Sequence, residues 1–376
     1  MRYIALLLFV SVFTSAFSQN IKLDVTNIAK RYNAVGLAYV VVKDGKIIHS
    51  DAVGYKDLEK QTPLNVADNL FRIASISKSF TATAWMQLVE AGKASLDDDF
   101  GSLIGFPVRN PLFPNKVITL RMLLSHTSSI SDKNGYFNLD AINPIKNPEW
   151  KKGYNDYEPG TQYEYCNLNF NMAGAALEQA VGIRFDNYIK KQILMPLRLN
   201  GGYCVDSLDN TMFAKIYEYD SKKEEFEAQP AAYAPRSEEV QNYTLGYTTP
   251  VFSPTGGLKI SAEDLARYMM MHMNYGEYNG VRLISKTSAN IMQTPVNKDA
   301  GYGLALRENK TFIKGKKVVG HTGSAYGLYS AMFFEPQEQF GVVVITNGCK
   351  QVFEDDEPVL LEEVANYLYG HLIAPK

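Results

Sequence analysis

The hydrophobic positions of the chain show helical spacing most clearly in the stretch FRIASISKSFTATAWMQLVEAGK. Apolar residues recur there at intervals of three and four residues, which predicts a helix that ends near Gly92. Two polar residues, Ser75 and Lys78, lie in step with Trp85 on this pattern and so occupy one side of the predicted helix. We therefore expect Ser75 and Lys78 to face inward together.

Strand-like hydrophobic runs lie toward both ends of the chain. Near the N-terminus, GLAYVVV and KIIHSDAVG are joined through Asp44-Gly45, which is a strong hairpin signal. Toward the C-terminus, KKVVGHTG, GLYSAMFFE and FGVVVITNG predict three more strands, and PVLLEEVANYLYG predicts an amphipathic helix. Between these ends, from Ser75 to about Glu239, the pattern indicates mainly helices and long polar loops.

This order of elements predicts an α/β (α+β) fold with one antiparallel sheet, built from both chain termini and flanked by helices. A mainly helical lobe is inserted between the two halves of the sheet. The sheet lobe is expected to comprise about residues 19–74 and 240–376, and the helical lobe about residues 75–239. We expect two lobes with a cleft between them because 376 residues exceed what a single core usually serves.

The first residues, MRYIALLLFVSVFTSAFSQN, have the features of an export signal. Arg2 precedes a short apolar run, and Ala16 and Ser18 are small residues spaced for signal peptidase. This pattern predicts a signal peptide over residues 1–18 and a mature chain over residues 19–376. A membrane anchor is the alternative, but the run is short for a span and no later segment approaches the needed length. We expect a periplasmic or secreted protein with no stable membrane span after the signal is removed.

Composition and charge argue against several classes of function. The chain is 46% hydrophobic and 21% charged, and its net charge of -2 without a basic stripe argues against a nucleic-acid partner. The histidines and cysteines show no metal-ligand spacing and the glycine-rich stretches lack a P-loop lysine, so we expect no metal and no other cofactor. Cys166, Cys204 and Cys349 are too few for a disulfide framework, and the sequence leaves open whether any two of them pair.

The lysine in SISK is unusual at the start of a helix. One interpretation makes Ser75 an N-cap and Lys78 a surface charge, but a cation in the first turn opposes the positive end of the helix dipole. Chemistry supplies another reason, because a lysine that is partly desolvated near a helix N-terminus has a lowered pKa. Such an amine can take the proton from a serine one turn away, and helix N–H groups can hold the oxyanion that forms.

Two further stretches contain polar residues that would be interpreted as structural if each stood alone. PGTQYEYCNLNF has Tyr165 and Asn167 after a Pro-Gly turn, and VGHTGSAYG has an HTG triplet at the end of a predicted strand. Together, SISK, YCN and HTG resemble the boxes S-x-x-K, Y-x-N and K/H-T-G of the penicillin-recognising serine hydrolases. The likeness is greatest to the class C β-lactamase-like branch, which includes D,D-carboxypeptidases, D-amino-acid peptidases and esterases. It covers nearly the whole mature chain.

The resemblance implies a β-lactamase/D,D-peptidase-like fold and a serine hydrolase. Ser75 would be the nucleophile that forms an acyl-enzyme, Lys78 the amine that helps deprotonate it, and Tyr165 a general base or proton shuttle for deacylation. The implied reaction is cleavage of an amide or ester, such as a D-amino-acid peptide in the manner of a D,D-carboxypeptidase. The alternatives are a short-chain esterase, a β-lactamase, a penicillin-binding sensor that acylates without turnover, and an interaction protein that kept only the fold.

The resemblance also implies substrate-binding residues. Asn167 would hold an amide of the substrate. His321, Thr322 and Gly323 would line the opposite edge of the cleft, where strand backbone can pair with an extended substrate. The backbone N–H of Ser324 would complete the oxyanion hole together with that of the nucleophile. Neither the physiological acyl donor nor the oligomeric state follows from these motifs.

Two positions depart from the family pattern. Cys166 stands where serine is commoner, and without a histidine nearby in sequence we expect a buried, inert thiol rather than a nucleophile. His321 replaces the lysine of the third box, which lowers, without excluding, dedicated β-lactamase activity. An unperturbed histidine titrates at about pH 6.5, so His321 is expected to titrate in the working range. It would bind a substrate carboxylate as a cation if the site needs a cation there, and a neutral hydrogen-bonding role is the alternative. His126, in LLSHTSS, is expected to be structural.

Overall fold

The structure is a computed structural model of the chain and describes residues 20–354 and 357–374. The signal peptide predicted over residues 1–18 lies outside the described residues. None of the helices in these two ranges combines the length and the apolar character that a membrane crossing requires.

Helices and strands alternate with long loops along the described chain. The helices are α1 (residues 20–31), α2 (Ser77–Glu90), α3 (Phe100–Ile104), α4 (Leu120–Leu124), α5 (Asn167–Val181), α6 (Phe185–Ile189), α7 (Ser237–Gln241), α8 (Ala262–Met273), α9 (Lys286–Gln293) and α10 (Val359–Leu372). The strands are β1 (Gly36–Lys43), β2 (Lys46–Asp57), β3 (Thr62–Pro63), β4 (Phe71–Arg72), β5 (Gly201–Gly202), β6 (Tyr217–Asp220), β7 (Glu225–Ala228), β8 (Lys259–Ile260), β9 (Glu277–Tyr278), β10 (Val281–Arg282), β11 (Arg307–Asn309), β12 (Val318–Ala325), β13 (Leu328–Glu335), β14 (Phe340–Thr346), β15 (Phe353–Glu354) and β16 (Glu357–Pro358).

A seven-stranded sheet forms the centre of the fold, with the strand order β11-β12-β13-β14-β1-β2-β3. Each neighbouring pair in it is antiparallel. β1 pairs with β14 along residues 37–43 and 340–346, so strands from the two ends of the chain lie side by side. The predicted hairpin is also present, because Asp44 and Gly45 join β1 to β2 with φ angles of 51° and 71°. The prediction of one antiparallel sheet built from both termini is therefore confirmed.

Side chains along β1 alternate between two hydrophobic cores, so both faces of the sheet are covered. Val40 and Val42 belong to the core that contains the buried residues of α2, α5 and α8. Tyr39 and Val41 belong to the core that contains the buried residues of α1 and α10. Burial on both faces explains why the sequence of β1 is a continuous apolar run.

Helix α2 lies at the centre of the helical region. Its Trp85 is fully buried, and the indole N–H donates a hydrogen bond of 3.0 Å to the carbonyl oxygen of Ala173 in α5. The helix ends where the sequence predicted, because Gly92 adopts φ +67° and its N–H donates to the carbonyl oxygen of Val89. We propose that the segment between β4 and β8, which contains α2 to α7, is the inserted lobe.

Candidate active site

Ser75 lies in a separate 3-10 turn, Ala74–Ile76, and α2 begins only at Ser77. The structure does not make Ser75 a helix cap, because the first turn of α2 has no side-chain cap. The preceding Ala74 has φ +48°, a left-handed conformation that an alanine adopts only at a cost in free energy. Backbone strain of this kind is common beside reactive groups, and here it precedes the serine directly.

The amine of Lys78 is completely buried beneath Ser75 and makes three hydrogen bonds. The Nζ atom lies 2.9 Å from Asn167 Oδ1 and 2.9 Å from the carbonyl oxygen of Thr255, both of which can only accept. Its third partner is Ser75 Oγ at 3.0 Å. A neutral amine has two N–H groups and one lone pair. Because the two carbonyl oxygens take the N–H groups, the lone pair is left to accept the hydroxyl proton of Ser75.

Burial also favours the neutral form of this amine. Desolvation lowers the pKa of Lys78 to about 7, although the negative charge of Asp132 opposes part of the shift. An amine with a pKa near neutrality is partly unprotonated at working pH and can act as a general base. The predicted inward-facing pair is therefore present, and at working pH a fraction of the amine is in the neutral form that proton removal from a serine requires.

Tyr165, from the stretch PGTQYEYCNLNF, also contacts Ser75. Its hydroxyl hydrogen-bonds with Ser75, and its ring centroid lies 4.7 Å from Lys78 Nζ. Although 36% of the residue is exposed, burial raises the pKa of Tyr165 well above its ordinary value, and the bond to Ser75 offsets only part of this. The phenol is thus protonated at neutral pH, which suits a proton relay better than a phenolate base.

Asp132 is one of the residues at this site that the sequence did not indicate. Its carboxylate accepts hydrogen bonds from the backbone N–H groups of Asn167 and Leu168, each at 2.9 Å, and from Asn167 Nδ2 at 3.0 Å. These bonds turn the Asn167 oxygen toward Lys78 and leave one N–H of the amide for a substrate. Asp132 precedes α5 by 35 residues, so only folding brings it to the start of that helix.

His321 is buried and neutral, so the expectation that it titrates in the working pH range is wrong. Its Nδ1–H donates to the carbonyl oxygen of Thr322 at 2.5 Å, and its Nε2 accepts from the hydroxyl of Tyr302 at 2.9 Å. Only 5% of the residue is exposed. Burial lowers the pKa of His321 to about 3, and the nearby charge of Lys78 adds to the effect. A cation at this position would need solvent or a carboxylate partner.

The rest of the third stretch forms an open strand edge beside Ser75. β11 pairs with β12 only through Gly320, so the outer edge of the following residues has no strand partner in the part of the chain that the structure describes. Gly323 allows this edge to approach the serine turn, because a Cβ there would lie 2.4 Å from the carbonyl oxygen of Ile73 and 2.5 Å from Ser330 Oγ. A larger residue would push β12 away from Ser75.

One cleft of about 750 Å³ gathers the predicted site residues. Its lining includes Ser75, Tyr165, Asn167, His321, Thr322, Gly323 and Ser324, and Lys78 lies directly beneath the serine. The lining also includes side chains that the sequence analysis did not assign to the site, namely Arg72, Tyr136, Tyr163, Thr255 and Arg307. Within residues 20–354 and 357–374, no group of three or more His, Cys, Asp and Glu side chains is placed to hold a metal ion.

Cys166 is buried and is not among the residues that line the cleft. Burial raises the pKa of Cys166 well above its ordinary value, and Sγ lies 3.2 Å from Asp132 Oδ1. A histidine is nearby in space after all, because the backbone N–H of Cys166 donates to His126 Nδ1 at 3.1 Å. That bond fixes the backbone between Tyr165 and Asn167 and does not activate the thiol. The three cysteines of the chain are all unpaired.

This cleft brings a serine, a buried lysine and a tyrosine into contact beside an antiparallel sheet. The chain belongs to the beta-lactamase family, whose family model matches residues 21–365. The predicted family resemblance is thereby confirmed, while the roles of the individual residues stay predictions.

The chain is similar to several known proteins, one compared by sequence and two by structure. The protein flp of Staphylococcus aureus (strain MRSA252) is 24% identical over 352 residues, which cover 89% of this chain but only 63% of that relative. The octameric penicillin-binding protein homologue of Pyrococcus abyssi superposes with a TM-score of 0.72 at 25% identity, covering 94% of this chain and 77% of the other. The D-alanine carboxypeptidase AmpC of Burkholderia cenocepacia shares the fold with a TM-score of 0.70 at 19% identity, covering 96% and 100%.

Proposed function

We propose that this protein is an exported serine hydrolase that cleaves an amide or ester through an acyl-enzyme on Ser75, with peptides ending in a D-amino acid as the leading substrate class. The observation that carries the proposal is the position of the Lys78 amine. Both of its N–H groups have carbonyl acceptors, so its lone pair is directed at Ser75 Oγ, 3.0 Å away.

Acylation would begin with transfer of the Ser75 proton to Lys78 while Oγ attacks the substrate carbonyl carbon. The backbone N–H groups of Ser75 and Ser324 would hold the oxyanion. The proton would then pass from Lys78 through Tyr165 to the leaving amine or alkoxide as the scissile bond breaks. In deacylation, a water oxygen would attack the acyl carbon while its proton passes through Tyr165 to Lys78. The bond between Ser75 Oγ and the acyl carbon would then break, Oγ would regain a proton from Lys78, and the acid product would leave.

The substrate would lie along the open edge of β12, with its backbone paired to residues Thr322–Ser324. The remaining N–H of Asn167 would bind an amide carbonyl on the acyl side. Because His321 is neutral, carboxylate binding falls to the arginines, and Arg307 lines the cleft close enough for its charge to act on Tyr165 and His321. The likeness to a D-alanine carboxypeptidase supports a D-residue, and it does so at the level of the fold.

A short-chain esterase is the second candidate, because the tyrosines that line the cleft offer apolar faces to an acyl chain without requiring an amide. Tyr165 bonded to Ser75 favours turnover over a sensor that stays acylated. The lack of a cation at position 321 argues against a dedicated β-lactamase.

Covalent labelling tests the assignment of Ser75. After treatment with a fluorophosphonate or penicillin, mass spectrometry should find the adduct on the peptide that contains Ser75. Ser75→Ala should lower turnover by several orders of magnitude, because no other group can replace the nucleophile. Ser102→Ala, an exposed serine outside the cleft, is the control and should keep wild-type turnover. An adduct on Cys166 or Ser324 would refute the assignment.

A matched substrate panel tests the substrate class. It contains a D-Ala-D-Ala peptide, its L-Ala-L-Ala counterpart, a short acyl ester and a chromogenic cephalosporin. The proposal expects the D-peptide to be cleaved with a higher kcat/KM than the L-peptide. If only the ester is hydrolysed, the esterase is the correct function.

A further inference from the structure

Two buried basic side chains face each other beside the cleft. Arg72 in β4 and Lys259 in β8 are directly opposite in the antiparallel pairing of these strands. Directly opposite residues point to the same face of a sheet, and like charges in such a pair destabilise it. Only 7% of Arg72 and 3% of Lys259 are exposed, so water does not screen the repulsion.

Neither cation has an anionic partner among the described residues. Arg72 donates from Nε to the carbonyl oxygen of Gly256 at 3.0 Å and from Nη1 to that of Ala232 at 3.3 Å. Lys259 Nζ donates to the carbonyl oxygen of Tyr203 at 2.7 Å. These acceptors are neutral, whereas buried charges in proteins are ordinarily paired.

The surrounding charges do not remove this imbalance. Burial lowers the pKa of Lys259 well below its ordinary value, and the charges of Arg72 and Arg236 lower it further. The charged form of this amine is therefore disfavoured until an anion binds beside it, and a bound anion would favour that form. Asp206 raises this pKa, but its carboxylate accepts from the backbone N–H of Arg236 at 2.7 Å and from the hydroxyl of Ser237. The Arg236 guanidinium is itself paired with a glutamate, Glu239, at 3.1 Å.

Arg72 and Lys259 line a small cavity of about 30 Å³ that adjoins the active-site cleft. The cavity shares Arg72, Phe137, Ser253 and Tyr326 with the lining of that cleft. Its volume exceeds the ~10–15 Å³ that one water molecule needs, so a small ionised group fits. Arg72 precedes the serine turn by two residues, which places the cavity next to the point where an acyl group would be attached.

We propose that this cavity is an anion subsite, in which Arg72 and Lys259 bind a carboxylate carried by the acyl part of the substrate. The proposal rests on the proposed function of Ser75 and narrows its substrates to acyl donors with an acidic group. A carboxylate supplies the missing counter-charge and can accept from both cations, since a guanidinium and an ammonium have donors to spare beyond the carbonyl bonds described.

Ester pairs matched in acyl length test the subsite. The p-nitrophenyl monoesters of adipic and pimelic acid carry a terminal carboxylate, and p-nitrophenyl hexanoate and heptanoate are their uncharged counterparts. With spontaneous hydrolysis subtracted, wild type should have a higher kcat/KM for at least one carboxylated ester than for its counterpart. Lys259→Met should reduce that ratio by about tenfold or more, because it removes one charge from a buried anion site. Lys93→Met, at an exposed lysine in the turn that follows α2, is the matched control and should leave the ratio unchanged.

A second variant and a second measurement distinguish loss of the anion subsite from misfolding of the protein. Lys259→Glu would place a carboxylate opposite Arg72, which relieves the repulsion, and it should fold while rejecting the carboxylated esters. Sodium adipate should raise the thermal unfolding temperature of wild type and not that of Lys259→Met. This shift does not require turnover, so it reports on the subsite even if no ester is hydrolysed and the proposed function of Ser75 fails.

Two outcomes would overturn the subsite while leaving the hydrolase intact. One is an equal ester ratio in wild type, Lys259→Met and Lys93→Met together with no thermal shift from adipate. The other is faster hydrolysis of p-nitrophenyl hexanoate on addition of sodium chloride, in wild type but not in Lys259→Met, without preference for a carboxylated ester. That result would assign the cations to a free inorganic anion.

Discussion

Burial lowers the pKa of both Lys78 and His321, but the result differs for the two side chains. The pKa of Lys78 starts from a high value and reaches about 7, whereas that of His321 starts near neutrality and reaches about 3. Lys78 therefore becomes a base that titrates at working pH, and His321 becomes a hydrogen-bonding group that is neutral at working pH. The pair sets the pH behaviour that the enzyme should show.

Activity should rise with pH as Lys78 loses its proton. The neutral amine is the reactive form and exists above the pKa, so kcat/KM for an uncharged ester should increase through about pH 7 and then level off. The measurement is a kcat/KM profile between about pH 5 and pH 9. His321→Gln should keep the midpoint of this rise, because His321 is neutral throughout. A fall in activity at about pH 6.5 that disappears in His321→Gln would show that the histidine titrates after all.

Helix α5 illustrates how an element can depend on a distant residue. The residue before its first turn, Cys166, makes no capping bond, and the carboxylate of Asp132 bonds the N–H groups of Asn167 and Leu168 instead. The same carboxylate orients the Asn167 side chain that contacts Lys78. Stability of the helix start and geometry of the site are thus coupled.

Replacing Asp132 should affect both properties. Asp132→Ala should reduce the free energy of unfolding by about 1–3 kcal/mol, because buried N–H groups lose their acceptor. Asp132→Asn should lower kcat/KM and also shift the rise of the pH profile to lower pH, because the charge of Asp132 raises the pKa of Lys78. Thermal unfolding and pH profiles measure the two effects, with the exposed Asp68→Asn as control. An unshifted profile in Asp132→Asn would limit its role to the helix.

At the scale of the molecule, the central sheet separates two hydrophobic cores, only one of which lies next to the active site. The core around α2, α5 and α8 supports the serine turn, whereas the core with α1 and α10 covers the opposite face of the sheet. Losses in the second core should therefore lower stability without changing the chemistry of the folded enzyme.

Leu368→Ala tests this separation of stability from chemistry. Leu368 is fully buried in α10, so its truncation should reduce the free energy of unfolding by about 2–5 kcal/mol while kcat at low temperature stays at the wild-type value. Gly370→Ala, on the same helix with open space around it, is the matched control and should not destabilise the protein. Denaturant unfolding and initial rates provide the two readings. A large fall in kcat for folded Leu368→Ala would show that the cores are coupled.

The predicted signal peptide over residues 1–18 can be tested by following export of the full-length chain. If residues 1–18 are a signal peptide, the protein recovered outside the cytoplasm of a bacterial host should begin at Gln19, as intact mass would show. Arg2→Glu should slow processing, because the positive start of the signal is lost. Recovery of a full-length chain in the cytoplasm would contradict export.

The sequence by itself determined the features that depend on neighbouring residues. The apolar run GLAYVVV and the Asp44-Gly45 turn predicted the β1–β2 hairpin, and the spacing of Ser75 and Lys78 predicted that they would meet. These inferences succeeded because periodicity, turn chemistry and one helical turn act over a few residues. The resemblance of SISK, YCN and HTG to the family boxes also predicted that Tyr165 and the HTG strand, β12, belong to the site.

Only the tertiary structure decided the ionisation states and the long-range partners. Tyr302 hydrogen-bonds to His321, and Asp132 caps a helix that begins 35 residues later in the chain. Arg72 lies opposite Lys259 in two paired strands that the sequence patterns did not reveal. Strands of two residues are too short to leave a period in the sequence. A pKa depends on how completely other parts of the chain exclude water, and that is fixed only when the elements pack together.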